Sequence, residues 1–275
     1  MTDNKKFSGM MIASDIDGTI KPSKKPVCER NMKAIRYFEE NGGIFTLATG
    51  RSIAATRLAV DEMGLKCPVI VNNGATAYDY EKEEILFTVD LDESAYDITR
   101  QVMERFPNCG IEVYNGRELY ILRRTEKTDW RLRNYKVSEG IYSFCSLDES
   151  VKPWQKMLAV AEESEADKVM EFFNSIGTDK ILFMKTSPNY CEMVPYNATK
   201  ADGVKNLARL LNVREDRIFT AGDHNNDIQL LKAGYKSFAP SDGIEIAKKT
   251  ADFITCSCEE GVIADIVEYI EKNII

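Results

Sequence analysis

Met10-Met11-Ile12-Ala13-Ser14-Asp15-Ile16-Asp17-Gly18-Thr19 decides how this chain folds: four apolar residues give way at Ser14 to two carboxylates one residue apart, then a glycine and a threonine. A short apolar run that ends in a turn signal reads as a buried strand, so Asp15 and Asp17 stand where a strand yields to a loop. Two acids so close repel at neutral pH, most of all where solvent is excluded. A positive group therefore belongs between or beside them, and a divalent cation is the obvious candidate. An Asp-Gly turn after an edge strand, its first acid solvated, is the alternative that this stretch alone leaves open.

Outward from there the pattern alternates. A helical periodicity over 29–40 is stopped by Asn41-Gly42-Gly43, a buried strand is expected over 44–48, a helix over 52–63 and a strand over 68–71. Alternating strands and helices imply a parallel, doubly wound sheet whose ligands sit beyond the C-terminal strand ends. Asp15 and Asp17, Thr49 to Arg51 and Asn72 to Gly74 all follow expected strands, which places them at that one edge. From residue 84 to 189 the pattern changes. A helix over 94–105 precedes a hairpin turning at Asn115-Gly116, then an arginine-rich polar segment, a strand over 157–160, a helix over 165–175 and two strands over 181–185 and 190–194. Few crossovers and several hairpins suggest a separate α+β unit. The alternation then resumes with a helix over 200–211, a strand over 218–221, a helix over 227–233, short strands near Ser237 and Phe253, and a last helix from Val262. The expected fold is α/β, a Rossmann-like doubly wound parallel-sheet core (1–83 and 190–275) with an inserted α+β domain (84–189).

Composition bounds the function. The chain has 275 residues, 44% of them hydrophobic, enough to bury a core in each unit. No apolar run approaches the roughly 18 residues that span a bilayer, and the N-terminal residues lack a signal-like apolar segment. A net charge of −8 disfavours nucleic-acid and anionic-membrane partners. Seven scattered cysteines and a single histidine leave no Cys/His set for zinc. They fit free thiols in a reducing compartment, hence the cytoplasm. With His224 the sole histidine, a serine-hydrolase triad is hard to assemble.

The remaining constellations converge on the same edge. Thr49-Gly50-Arg51 offers a hydroxyl and backbone N–H groups at a helix start, an arrangement that serves an anion or merely caps the helix. Gly222-Asp223-His224-Asn225-Asn226-Asp227 follows the 218–221 strand and brings two more carboxylates from the second half of the core. Four acids and an asparagine at adjoining strand ends suit a hard, oxygen-seeking cation such as Mg2+. Lys200 opens a helix, where the helix dipole does not favour a cation, which points to a specific partner in the same pocket.

Asp15-Ile16-Asp17-Gly18-Thr19, Thr49-Gly50-Arg51, Lys200 and Gly222-Asp223…Asn226-Asp227, in this order and spacing, resemble the four motifs of the haloacid dehalogenase superfamily of phosphatases. The chain is similar to the Cof-like branch, which carries a type IIB cap between motifs two and three. Asn73-Gly74-Ala75, Ser187-Pro188…Glu192 and Ala251-Asp252-Phe253-Ile254-Thr255…Glu260-Gly261-Val262 support the likeness. Ala201, Leu231 and Pro240-Ser241-Asp242 depart from the branch's usual residues without removing a charge that the chemistry needs.

The resemblance implies a phosphatase of a small phosphorylated metabolite, a sugar phosphate being the expected class, with Mg2+ as cofactor. Asp15 would be the nucleophile and Asp17 the acid and base. Thr49, Gly50, Lys200 and Asn226 would form the phosphate-binding set. Asp15, the Asp17 backbone carbonyl, Asp223 and Asp227 would form the metal set, with Asn226 and Asp227 also ordering Lys200 or metal-bound water. A phosphomutase of the same superfamily and a non-catalytic phospho-ligand-binding protein are the alternatives. The mutase would need cap arginines for a second phosphate. Arg123, Arg124, Arg131 and Arg133 around Trp130 read either as a solvated face or as a substrate contact. The oligomeric state is not legible.

Overall fold

The computed structural model describes residues 5–22, 25–138 and 140–275. From β1 (Met11–Ser14) the chain passes through α1 (Glu29–Glu40), β2 (Ile44–Leu47) and α2 (Ile53–Met63) to β3 (Val69–Val71), which forms a small antiparallel sheet with β4 (Thr76–Asp79) and β5 (Glu84–Thr88). The insert follows as α3 (Ser94–Arg105), β6 (Gly110–Asn115), β7 (Glu118–Arg123), α4 (Glu126–Asn134), β8 (Tyr142–Phe144), β9 (Lys156–Val160), α5 (Glu163–Ser175), β10 (Ile181–Ser187) and β11 (Tyr190–Pro195). The chain closes with α6 (Lys200–Leu210), β12 (Ile218–Ala221), α7 (Ile228–Leu231), β13 (Lys236–Pro240), α8 (Glu245–Thr250), β14 (Phe253–Thr255) and α9 (Val262–Asn273).

The core sheet is parallel, in the order β14-β13-β12-β1-β2. β1 pairs with β2 on one edge and with β12 on the other, so the strand order reverses there. That is where a doubly wound sheet opens a crevice beyond its strand ends. Period-two alternation sends Ile12 toward the cluster that holds Ile35, Phe38, Ile266 and Ile270, and Met11 and Ala13 toward Val204 and Leu207 of α6. The helices begin and end on local chemistry. The Ser52 hydroxyl accepts the Ala55 N–H at the head of α2, and Thr199 and Asp202 form a reciprocal capping box on α6.

The insert's six strands run β10-β11-β9-β6-β7-β8. One face, with Ile111, Val113, Met157, Ala159, Cys191 and Met193, packs on α3 and α5. The other, with Glu112, Tyr114, Lys156, Leu158, Tyr190 and Glu192, turns toward the core. The α/β class and its parallel core are as the sequence reading expected.

Several details differ. Tyr190–Pro195, assigned by that reading to the second core segment, is the partner of β9 and β10 in the insert's sheet, because Ser187 to Tyr190 closes a hairpin that a boundary at 190 would cut. Glu84–Thr88, read as insert, pairs with β4. The polar, arginine-rich segment, to which the sequence reading assigned no element, contains α4, started by a Thr125–Thr128 capping box. The helix expected over 227–233 contracts to a 3-10 turn and α7, since the Asp227 carboxylate folds back onto the Asp223 and His224 N–H groups and Gly234 turns the chain at φ +86°. Among the described residues no helix is long and apolar enough to cross a membrane, and all seven cysteines are free thiols.

Candidate active site

Four strand ends and one helix start meet at the crevice: Asp15 after β1, Thr49 after β2, Asn73 after β3, Asp223 after β12, and Lys200 as the first residue of α6. Asp15, Asp223 and Asp227 each offer an oxygen within 4.8 Å of the others. Lys200 is 1% exposed, and its Nζ donates to Asp15 Oδ1 and Asp227 Oδ1, both at 2.7 Å. The second Asp227 oxygen accepts the backbone N–H groups of Asp223 (3.1 Å) and His224 (3.0 Å). Lys200 and Asp227 thus lie beneath Asp15 and Asp223, which line the cavity above.

The charges do not balance. One ammonium serves three buried or nearly buried carboxylates, and an uncompensated buried charge is costly. Burial pushes the Asp15 carboxyl well above its ordinary range, against the pull of Lys200 and with help from Asp227, Asp223 and Asp17. Burial and then Asp227 push Asp223 up to about 6, although the Thr19 hydroxyl donates to it at 2.7 Å. Burial alone would lower the Lys200 ammonium, but Asp15 and Asp227 outweigh it and hold it above its usual value. An all-oxygen donor set with two surplus negative charges fits a hard divalent cation.

Asp17 is separated from this cluster. Its side chain is 44% exposed and is gripped by Arg51, Nε to Oδ2 at 2.8 Å and Nη2 to Oδ1 at 2.5 Å. Its carboxylate is absent from the three-acid group, and it lines the cavity beside Asp15. Gly18, between Asp17 and Thr19, has φ +84°, and a Cβ there would lie 2.5 Å from Asp223 Oδ2. A side chain at that position would collide with a candidate ligand.

On the β2 side, the Thr49 hydroxyl accepts the Arg51 N–H at 3.2 Å, and its backbone is tied to Ile70 and Asn73. A Cβ on Gly50 would lie 2.8 Å from Asn73 Oδ1. Asn226, expected in the phosphate set, lines the cavity and donates to Asn73 Oδ1 at 3.4 Å. Two bonds cross from the insert: Lys156 Nζ to the Gly50 carbonyl at 2.9 Å, and Asn73 Nδ2 to Glu192 at 2.6 Å. Core and insert together line a partly open cavity of about 580 Å3, with Asp15, Asp17, Thr49 and Gly50 below and Arg131, Lys156, Tyr190 and Glu192 above.

The four arginines near Trp130 do not form one cluster. Arg123 caps carbonyls of Met103 and Phe106, Arg124 pairs with Asp129, Arg133 is exposed, and Trp130 is 57% exposed. Arg131 alone turns inward, 4% exposed, onto Glu112 at 3.1 Å and the Tyr114 hydroxyl. Sequence reasoning gave no role to Lys156, and none to Glu192 beyond its place in a supporting motif. Lys156 stands just before an apolar run and Glu192 inside a mostly apolar strand, so neither spacing nor pattern marks them.

Residues 12–267 match the family described as haloacid dehalogenase-like hydrolase. The phosphatase YwpJ of Bacillus subtilis is 24% identical, over 94% of this chain and 99% of its own. A haloacid dehalogenase-like hydrolase from Bacteroides thetaiotaomicron superposes with a TM-score of 0.82 at 22% identity, over 95% of this chain and 99% of its own. A structure described as a subclass IIB sugar phosphatase of the same superfamily reaches 0.80 at 18% identity, over 95% and 99%. The match of nearly the whole length, joined to the acids at the ends of β1 and β12, means that the chain belongs to the haloacid dehalogenase-like hydrolase family.

Proposed function

We propose that this protein is a Mg2+-dependent phosphatase that hydrolyses a small phosphorylated metabolite, a sugar phosphate, through an aspartyl phosphate on Asp15. The observation that carries the reading is the Asp15 carboxylate at the floor of a partly open cavity, steadied by Lys200 at 2.7 Å and flanked by two further acids. Family membership and a relative named a phosphatase support the reaction class.

Asp15, Asp223 and the Asp17 backbone carbonyl would hold Mg2+, with Asp227 orienting Asp223. The ion would offset the negative charge that nucleophile and phosphate share. Asp15 attacks phosphorus through a carboxylate oxygen, which Lys200 keeps aimed. Dividing the reaction into formation and hydrolysis of an acyl phosphate turns one hard step into two easier ones. Lys200 has a third N–H to give a phosphoryl oxygen, beside the Thr49 hydroxyl and the Gly50 N–H. Asp17 donates a proton to the leaving oxygen and afterwards takes one from water. Arg51 fixes its carboxylate beside the cavity, and its hold must loosen when the proton moves. The six-stranded insert acts as a cap that excludes water during attack.

Phosphate release from a panel of phosphate esters, with and without Mg2+, tests the reading beside Asp15→Asn. Release that needs Mg2+ and vanishes in the variant is expected. An active Asp15→Asn protein overturns the nucleophile assignment.

A further inference from the structure

Asp17 has to give a proton and take one back, yet each of its oxygens accepts a hydrogen bond from the Arg51 guanidinium. The fork must therefore swing off one oxygen and return in every turnover. Hydrogen bonds are directional, so a side chain held by them alone loses its place when one is released. At 14% exposure the Arg51 side chain has little water to fall back on. It has a contact of another kind as well. Its Cζ lies over the Tyr135 ring, 5.0 Å from the centroid, and the Arg131 Cζ stands 5.7 Å from the same centroid. A cation is attracted by the whole face of a ring, so the guanidinium can turn in its own plane without losing that partner.

The ring is held where it is by local backbone structure. Tyr135 is the first residue past α4. Its N–H donates to the Arg131 carbonyl at 3.0 Å, and the Val137 N–H returns to the Leu132 carbonyl at 2.9 Å, with Lys136 between them at φ +50°. A left-handed residue other than glycine persists only where its surroundings over-determine it. The first turn of α2 packs alongside: Ala54 and Ala55 share an apolar cluster with Tyr135, Tyr114 and Leu158, and the Ala55 carbonyl accepts Arg51 Nη1 at 3.4 Å. We infer that Tyr135 is a positioning residue for the proton step, its ring face bearing the Arg51 guanidinium while the fork turns from two Asp17 oxygens to one. The inference rests on the phosphatase reading.

The test compares kcat/KM for phenyl phosphate and p-nitrophenyl phosphate, esters of nearly one shape whose leaving groups differ in their need of a proton. Phenolate, the more basic, depends on Asp17; p-nitrophenolate leaves largely without help. Tyr135→Leu keeps the bulk and removes the face, and it lowers the phenyl to p-nitrophenyl ratio by about 3- to 30-fold. Tyr135→Met carries the same comparison if Tyr135→Leu does not fold. Tyr135→Phe, which keeps the face and loses only the hydroxyl, retains the wild-type ratio. In an Arg51→Lys background, which already lacks the stacked fork, Tyr135→Leu changes the ratio no further. An equal loss on both esters, a Tyr135→Phe protein as impaired as Tyr135→Leu, or effects that add in the double variant overturns the inference. Absence of phosphate release from both esters by the wild type overturns the underlying phosphatase reading instead.

Discussion

Asp223→Asn should make the metal-free protein more stable at neutral pH, although it removes a proposed ligand. The Asp223 carboxyl moves from an ordinary 3.8 to about 6 on folding, through burial first and Asp227 second. Between those two values the native state holds a proton that the unfolded chain has released. Stability therefore falls as pH rises through that window, and above about 6 the full penalty, about 3 kcal/mol, is present. Asparagine keeps an oxygen for the Thr19 hydroxyl, now 2.7 Å from Asp223 Oδ1, and loses about 1 kcal/mol of charge assistance. The net gain at pH 7.5 in chelator is about 2 kcal/mol, or roughly 4–8 °C in melting midpoint for a chain of this size. At pH 4 the gain is gone, because the native carboxyl is then protonated and the unfolded one is nearly half so. Thermal denaturation in chelator at the two pH values reads this directly, and adding Mg2+ should raise the wild type past the variant. A variant less stable than wild type at pH 7.5 in chelator, or one that Mg2+ stabilises equally, refutes the reasoning.

Lys200→Met strands Asp15 and Asp227 in the interior and should cost about 3–5 kcal/mol in chelator, partly recovered with Mg2+, by the same denaturation assay. Asp17→Asn should slow phosphate release by roughly 10²–10⁴-fold. It should still accept label on Asp15 from an ester with a good leaving group, as acid-quenched radiolabelling would show; a variant as inert to labelling as Asp15→Asn contradicts the division of roles. Gly18→Ala places a Cβ 2.5 Å from Asp223 Oδ2. With the strain of positive φ it should cost about 1–3 kcal/mol and weaken Mg2+ binding in calorimetric titration.

The floor of the site was readable because each of its residues directly follows an apolar run in a strand or opens a helix. Asp15, Thr49, Asp223 and Lys200 needed only the rule that parallel strands end at one edge. The roof was not readable. Lys156, Glu192 and Glu112 lie on three strands whose pairing sets their register, and alternation in each strand fits a charge facing water as well as one facing a cavity. Arg131 resembled its three neighbours in sequence, and only the turn of α4 buries it while Arg133 stays outside. Likewise the Arg51 grip on Asp17 depends on a side-chain direction that no spacing reveals.

The strand order of the core also orders events during synthesis. β1 emerges early, but its partner on one edge, β12, lies some two hundred residues downstream, beyond the whole six-stranded insert. Until Ile218–Ala221 leaves the ribosome, that edge of β1 has no mate within this sheet, while the insert already holds every strand of its own. Pairing across so long a stretch is entropically slow. The nascent chain therefore carries an unpaired apolar edge while the whole insert is made, and the three acids cannot meet until Asp227 has been added.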